Sequence, residues 1–146
     1  MMEQTQIEEI IPHRPPFLWI DRVEELKPGV HCIAWKWIDP ENPAFDGHFP
    51  ARPILPGVYL IEAMAQTAGV MMASVVPAAG TQQETGGVPL LAAVNRFKFL
   101  KPVLPGQELR IETRKLTEAG TMAYIEGTVT ANGETVARGE LSVVSG

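Results

Sequence analysis

One stretch of the chain constrains its fold more than any other. Residues Gly57 to Val76 read GVYLIEAMAQTAGVMMASVV, twenty residues without a proline and almost without a polar side chain. Alanine, methionine and leucine favour a helix here over a strand. As a helix the segment would span about 30 Å. Pro56 and Gly57 stand at its start and Pro77 stops it. A membrane span is the competing reading, but Glu62 and Gln66 interrupt the run and no basic flank follows. A helix apolar on nearly every side is expected to be buried in protein. Something in the remaining sequence must wrap it.

Strands can do so. Residues 88–100, 107–117, 121–131 and 134–144 alternate, with turn signals at Pro105-Gly106, Ala119-Gly120 and Asn132-Gly133. Asn-Gly between two such runs is a strong hairpin signal. Residues 17–26 and 29–38 look like a further pair, and a short helix is expected at about 5–10. Five of the thirteen prolines lie between 40 and 56, which predicts a rigid loop that is neither helix nor central strand. A second, Gly- and Gln-rich loop is expected at 78–87. No repeat and no linker is visible, so residues 1–146 are read as a single α+β domain. In it, five or six mostly antiparallel strands curl around one helix.

Composition narrows the function classes. With 45% hydrophobic and 20% charged residues the chain is an ordinary globular one. A net charge of −5 argues against a dedicated nucleic-acid binder. Cys32 is the single cysteine, which excludes an intrachain disulfide and any multi-cysteine zinc site. His13, His31 and His48 lack metal-ligand spacing, so no metal is expected. The first thirty residues carry no basic segment followed by an apolar one, and the cytoplasm is the default compartment.

Two polar residues stand out. Glu62 lies in the first two turns of the apolar helix, with Gln66 one turn later on the same face. A carboxylate there is costly unless it is hydrogen-bonded or open to a pocket. It is either a proton donor or half of a satisfied polar pair in a core or interface. His48 lies in Asp46-Gly47-His48-Phe49-Pro50, where prolines can fix its orientation. The alternative is a loop histidine bonded to backbone. The loop leads directly into the helix start, where the free N–H groups of Gly57 and Val58 carry the positive end of the dipole. A base, an acid and an oxyanion donor can converge there, a trio suited to removing a proton α to a carbonyl with loss of a leaving group. Arg96, Lys98 and Lys101 form a local basic run, either a solvated strand edge or a landing site for an acidic partner.

Several strings then resemble one family. They are Pro12 to Val23 (PHRPPFLWIDRV), Gly47-His48-Phe49-Pro50, Pro53 to Val58 (PILPGV), Ile61 to Gln66 (IEAMAQ), and Phe99 followed by Lys101 to Gly106 (KPVLPG). Together they resemble the (3R)-hydroxyacyl-acyl carrier protein dehydratases of the FabZ type over about residues 7–143. The resemblance implies a hot-dog fold paired into a homodimer, with a hexamer, a trimer of dimers, as a further expectation. It implies dehydration of 3-hydroxyacyl thioesters on acyl carrier protein to trans-2-enoyl thioesters, without cofactor or metal. It puts the catalytic histidine at His48, the catalytic carboxylate at Glu62 and the helix-start amide at Gly57. The histidine of one subunit would face the carboxylate of the other. Phe49, Val58 and Tyr59 are candidate tunnel walls, with core packing as the alternative. Pro15, Asn95 and Leu100 depart from the family's usual residues and leave acyl chain length and carrier open. Acyl thioesterase and non-catalytic acyl-binding subunit are the competing functions on such a fold.

Overall fold

Alternation along the strands decides which side of the sheet meets the helix. In β5 (Met122–Ala131), Ala123, Ile125, Gly127, Val129 and Ala131 are buried while Tyr124 and Glu126 face outward. In β4 (Glu108–Ala119) the buried set is Leu109, Ile111 and Thr113. The computed structural model describes residues 1–75 and 89–145. Its other elements are α1 (Gln4–Ile10), β1 (Arg22–Lys27), β2 (His31–Trp37), α2 (Ala44–Gly47), α3 (Val58–Ala73), β3 (Pro89–Phe99) and β6 (Glu134–Ser145). The strands form a six-stranded sheet in the order β1-β2-β4-β5-β6-β3, and every neighbouring pair is antiparallel. Asn132 and Gly133 join β5 to β6 with φ of 52° and 77°, the left-handed pair that a two-residue hairpin of matching twist requires.

The buried face of the sheet packs on α3. Leu60 and Met64 meet Leu109, Ile111, Val129 and Leu141 at one end. Ala68 and Met71 meet Ile7, Val23, Cys32, Ile125 and Val143 at the other. Gly127 makes this close approach possible, because a Cβ there would collide with the Met64 thioether. The α+β architecture with a long helix against an antiparallel sheet is the one expected.

Three expectations need correction. The strand placed at 17–26 begins only at Arg22, because Phe17 and Trp19 give their backbone groups to Gln66 rather than to a neighbouring strand. The proline-rich loop contains one helical turn, Ala44–Gly47, which Pro43 opens from a helical φ of −57°. And α3 is not enclosed on all sides by its own chain: Tyr59, Ile61, Glu62 and Ala65 are half-buried and Val58 is 67% exposed. The Gly- and Gln-rich loop expected at 78–87 lies outside the described residues.

The two sheet edges differ. On β1, Met2 and Val23 exchange two backbone hydrogen bonds of 2.8 Å. On β3 only the β6 side is paired among the described residues. Leu91 and Val94 stand opposite Val143 and Leu141, on the helix-facing side, yet each keeps 40% or more of its surface exposed.

Candidate active site

His48 caps the C-terminal end of α2 and its orientation is fixed by Ile54. The Ile54 N–H donates to the His48 carbonyl at 3.0 Å, and His48 Nδ1 lies 2.8 Å from the Ile54 carbonyl. A carbonyl only accepts, so Nδ1 carries the hydrogen and neutral His48 presents a bare Nε2. The backbones of Phe49 and Arg52 close the turn between them with a reciprocal pair of 3.2 and 3.1 Å. Phe49 stacks on the imidazole with centroids 4.0 Å apart and leaves about half of its own surface open (48%). The histidine is thus bonded to backbone and also carries a free, oriented base. The two readings of the sequence are compatible.

The start of α3 follows. No acceptor in the chain takes the N–H of Gly57 or Val58 among the described residues. The Phe99 ring lies over Gly57, where a Cβ would come within 2.8 Å of the ring edge. Any side chain at Gly57 would push that ring away and displace the amide beside it.

Glu62 is held by Gln66, whose amide cannot be reversed. Its Oε1 accepts the Trp19 N–H at 2.7 Å, and its Nε2 donates to the Phe17 carbonyl and to Glu62 Oε2, both at 2.8 Å. Since the Trp19 N–H only donates and the Phe17 carbonyl only accepts, the amide points one way. Glu62 Oε2 is therefore occupied and Oε1 is left for other work. His13 approaches the same oxygen, its Nε2 at 3.8 Å. Beside them opens a cavity of about 290 Å³ lined by Ile11, Pro12, Ala65, Gly69, Leu90 and Leu91 among others. A carboxylate at the rim of an apolar cavity is the arrangement expected of an acid that meets an aliphatic substrate.

The other sequence candidates fall differently. Tyr59 stacks on Trp19 with centroids 4.3 Å apart and packs into the core, while Val58 and Phe49 stay open to solvent. Arg96 and Lys98 lie on β3, with Arg138 of β6 opposite Lys98. Lys101 follows the strand and is paired to Glu134 at 2.6 Å. His13 and the cavity lining are the features that residue-by-residue reading missed. His13 stands inside the first matching string, but nothing in its own neighbourhood marks it as facing a glutamate 49 positions away. Among the described residues no cluster of His, Cys, Asp or Glu is arranged to hold a metal, and no helix is long and apolar enough to cross a membrane.

One chain does not bring His48 to Glu62. No hydrogen bond or ion pair joins them, and His48 does not line the cavity beside Glu62.

This is a hot-dog-like α+β fold with a histidine, a helix-start amide and a clamped carboxylate. A FabA-like domain model matches residues 11–140, and the chain belongs to that family. It is 38% identical to a 3-hydroxyacyl-[acyl-carrier-protein] dehydratase FabZ of Geotalea uraniireducens, over 91% of this chain and 93% of the relative. It is 45% identical to the enzyme of that name in Symbiobacterium thermophilum, covering 80% and 82% of the two chains. Among solved structures it resembles the dehydratase heterocomplex ApeI:P from Xenorhabdus doucetiae, with a TM-score of 0.72 and 18% identity, covering 96% of this chain and 90% of that one.

Proposed function

We propose that the chain dehydrates (3R)-hydroxyacyl thioesters on acyl carrier protein to trans-2-enoyl thioesters, in fatty acid or related lipid biosynthesis in the cytoplasm. The observation that carries this reading is the retained pair, an oriented His48 with a bare Nε2 and a Glu62 clamped through one oxygen, in a chain similar throughout to dehydratases so named. The thioester carbonyl accepts the Gly57 N–H, which favours the developing enolate. His48 Nε2 takes the α-proton. Protonated Glu62 gives its proton to the 3-hydroxyl, which leaves as water while the double bond forms. The acyl tail runs along α3 past Ala65 to Gly69, with Phe49 and Val58 at the entrance.

Two chains make this site. Among the described residues, the exposed inner surface of β3 at Leu91 and Val94 and its unpaired outer edge support a homodimer. In that dimer His48 of one copy serves Glu62 of the other. Arg96, Lys98 and Lys101 are the carrier-facing patch, joined by Arg138. Lys101 contributes least, being engaged by Glu134.

The test is product analysis with 3-hydroxyacyl carrier thioesters. Formation of the enoyl thioester, lost by about 10²–10⁴-fold in His48→Ala and in Glu62→Gln, is the expected result. Release of free carrier thiol, or near-normal turnover by either variant, would overturn it.

A further inference from the structure

His13 has no part in the chemistry just described, yet it sits half-buried against the residue that matters most to it. Its Nδ1 is shut off from solvent and finds no hydrogen-bond partner among the described residues. Its Nε2 is aimed at Glu62 Oε2 from 3.8 Å, just beyond hydrogen-bond reach. The backbone behind it is pinned. The Arg14 guanidinium donates to the carbonyls of Glu8, Ile11 and His13 at 2.9, 2.9 and 2.7 Å, and it also meets the Glu8 carboxylate at 3.4 Å. The ring is further steadied by stacking against Phe17, whose carbonyl holds Gln66. His13 and Gln66 therefore reach the same oxygen of Glu62 from two separate segments, both anchored. No other titratable side chain lines the cavity among the described residues: α3 offers Glu62, while β3 and β6 offer only Pro89, Leu90, Leu91 and Val143. Arg14 and Glu8, the nearest charges on the N-terminal side, satisfy each other.

We propose that His13 is a positioning residue for Glu62, donating its Nε2–H to Oε2 and completing with Gln66 a two-donor clamp. This rests on the dehydratase reading above. With Oε2 held twice, the transferable proton is confined to Oε1, the oxygen with no partner among the described residues. When Glu62 gives that proton up, both donors stabilise the carboxylate that remains. Closing the short gap needs only a small movement of the glutamate as the cavity fills. Catalytic hydrogen bonds are commonly longer in unliganded sites. The bare Nδ1 fits the same assignment: with the hydrogen on Nε2, the buried nitrogen is left as a lone pair rather than as an unmatched donor.

The experiment has two arms. In the first, kcat and KM for a 3-hydroxyacyl carrier thioester are followed against pH in wild type, His13→Ala and His13→Gln. His13→Ala should lower kcat about 10- to 100-fold, the range of a hydrogen bond to a charged group, with KM changed far less. It should also move the alkaline limb of the kcat profile upward, since the carboxylate has lost a donor. His13→Gln, whose Nε2 reaches a similar position, should restore part of kcat. An unchanged kcat, an unmoved profile or no rescue would overturn the proposal. The second arm needs no turnover. Nitrogen-15 NMR at pH 8, with His13 assigned by its loss in His13→Gln among the three histidines, should show the Nε2–H tautomer in wild type and a mixture in Glu62→Ala. An Nδ1–H tautomer in wild type overturns the clamp even if the enzyme is active. A wild type that forms no enoyl product instead condemns the dehydratase reading and leaves this arm to decide the contact.

Discussion

At the scale of single residues, the polar groups that shape the site are the ones the sequence shows least. Glu62 and Gln66 announce themselves as a pair because helical spacing puts them on one face. That Gln66 also holds Trp19 and Phe17, 47 and 49 positions away, has no local signature. Gln66→Ala would strand the Trp19 N–H and leave Glu62 with one donor fewer. A loss of about 1–3 kcal/mol is expected, read as a lower urea midpoint, together with slower turnover. Cys32 is the opposite case. It is fully buried, and burial pushes its thiol up to about 12. It should resist iodoacetamide at pH 8 in the folded protein and react once the chain unfolds. Because its folded value lies above the unfolded one, the stability it contributes is complete below about pH 9. That stability is lost as pH rises towards 12. Stability curves of wild type and Cys32→Ala should therefore converge at alkaline pH. On the outer face, the hydrogen bond from His31 holds the Glu112 carboxyl below its usual range. Its contribution is present above the ordinary carboxylate range and fades as pH falls through the depressed value, so the destabilisation by His31→Gln should be largest above that range and shrink in acid, read from denaturation curves at several pH values.

At the scale of elements, legibility followed periodicity. The four strands after the apolar helix were readable from alternation and from the glycines between them, and α3 from its length and lack of proline. What was not readable is where burial comes from. Hydropathy says that a face is apolar, not which element covers it, so it does not show whether a helix apolar all round is covered by its own chain or by something else. The side bearing Glu62, Ala65 and Gly69 instead lines a cavity. Gly69 marks how deep that cavity runs. It lies seven residues beyond Glu62, about 10 Å along the helix axis. A Cβ there would meet Ile11 at an ordinary 3.5 Å. Gly69→Ala is therefore expected to stabilise the helix by up to about 1 kcal/mol. Gly69→Leu should fill the far end and depress turnover of long acyl chains more than that of 3-hydroxybutyryl thioester, measured across a chain-length series.

At the scale of the molecule, the site proposed for one copy is completed by another. Mixing His48→Ala with Glu62→Gln subunits at equal concentration tests this directly. Half of the randomly formed pairs combine the two variants, and each of those has one intact site. About a quarter of wild-type activity should return, given two-fold pairing. No recovery after demonstrated exchange would mean that each chain works alone. Changing Leu91 to Lys on the uncovered inner side of β3 should leave the monomer folded, since that side chain is already 44% exposed. It should abolish pairing on a sizing column, and activity with it.

The amino terminus has a part in where such assembly stops. A sheet with two open edges can recruit copies at both and grow without limit. Here Met2 lies beside β1 and takes up the backbone groups of Val23, while β3 is paired only on its β6 side among the described residues. Two copies meeting through β3, as proposed, would each cover the other's edge there. In the proposed homodimer, association through the sheet would thereby end at a closed pair instead of propagating into a fibre, and a residue far from the chemistry would help to keep a sticky strand safe to display.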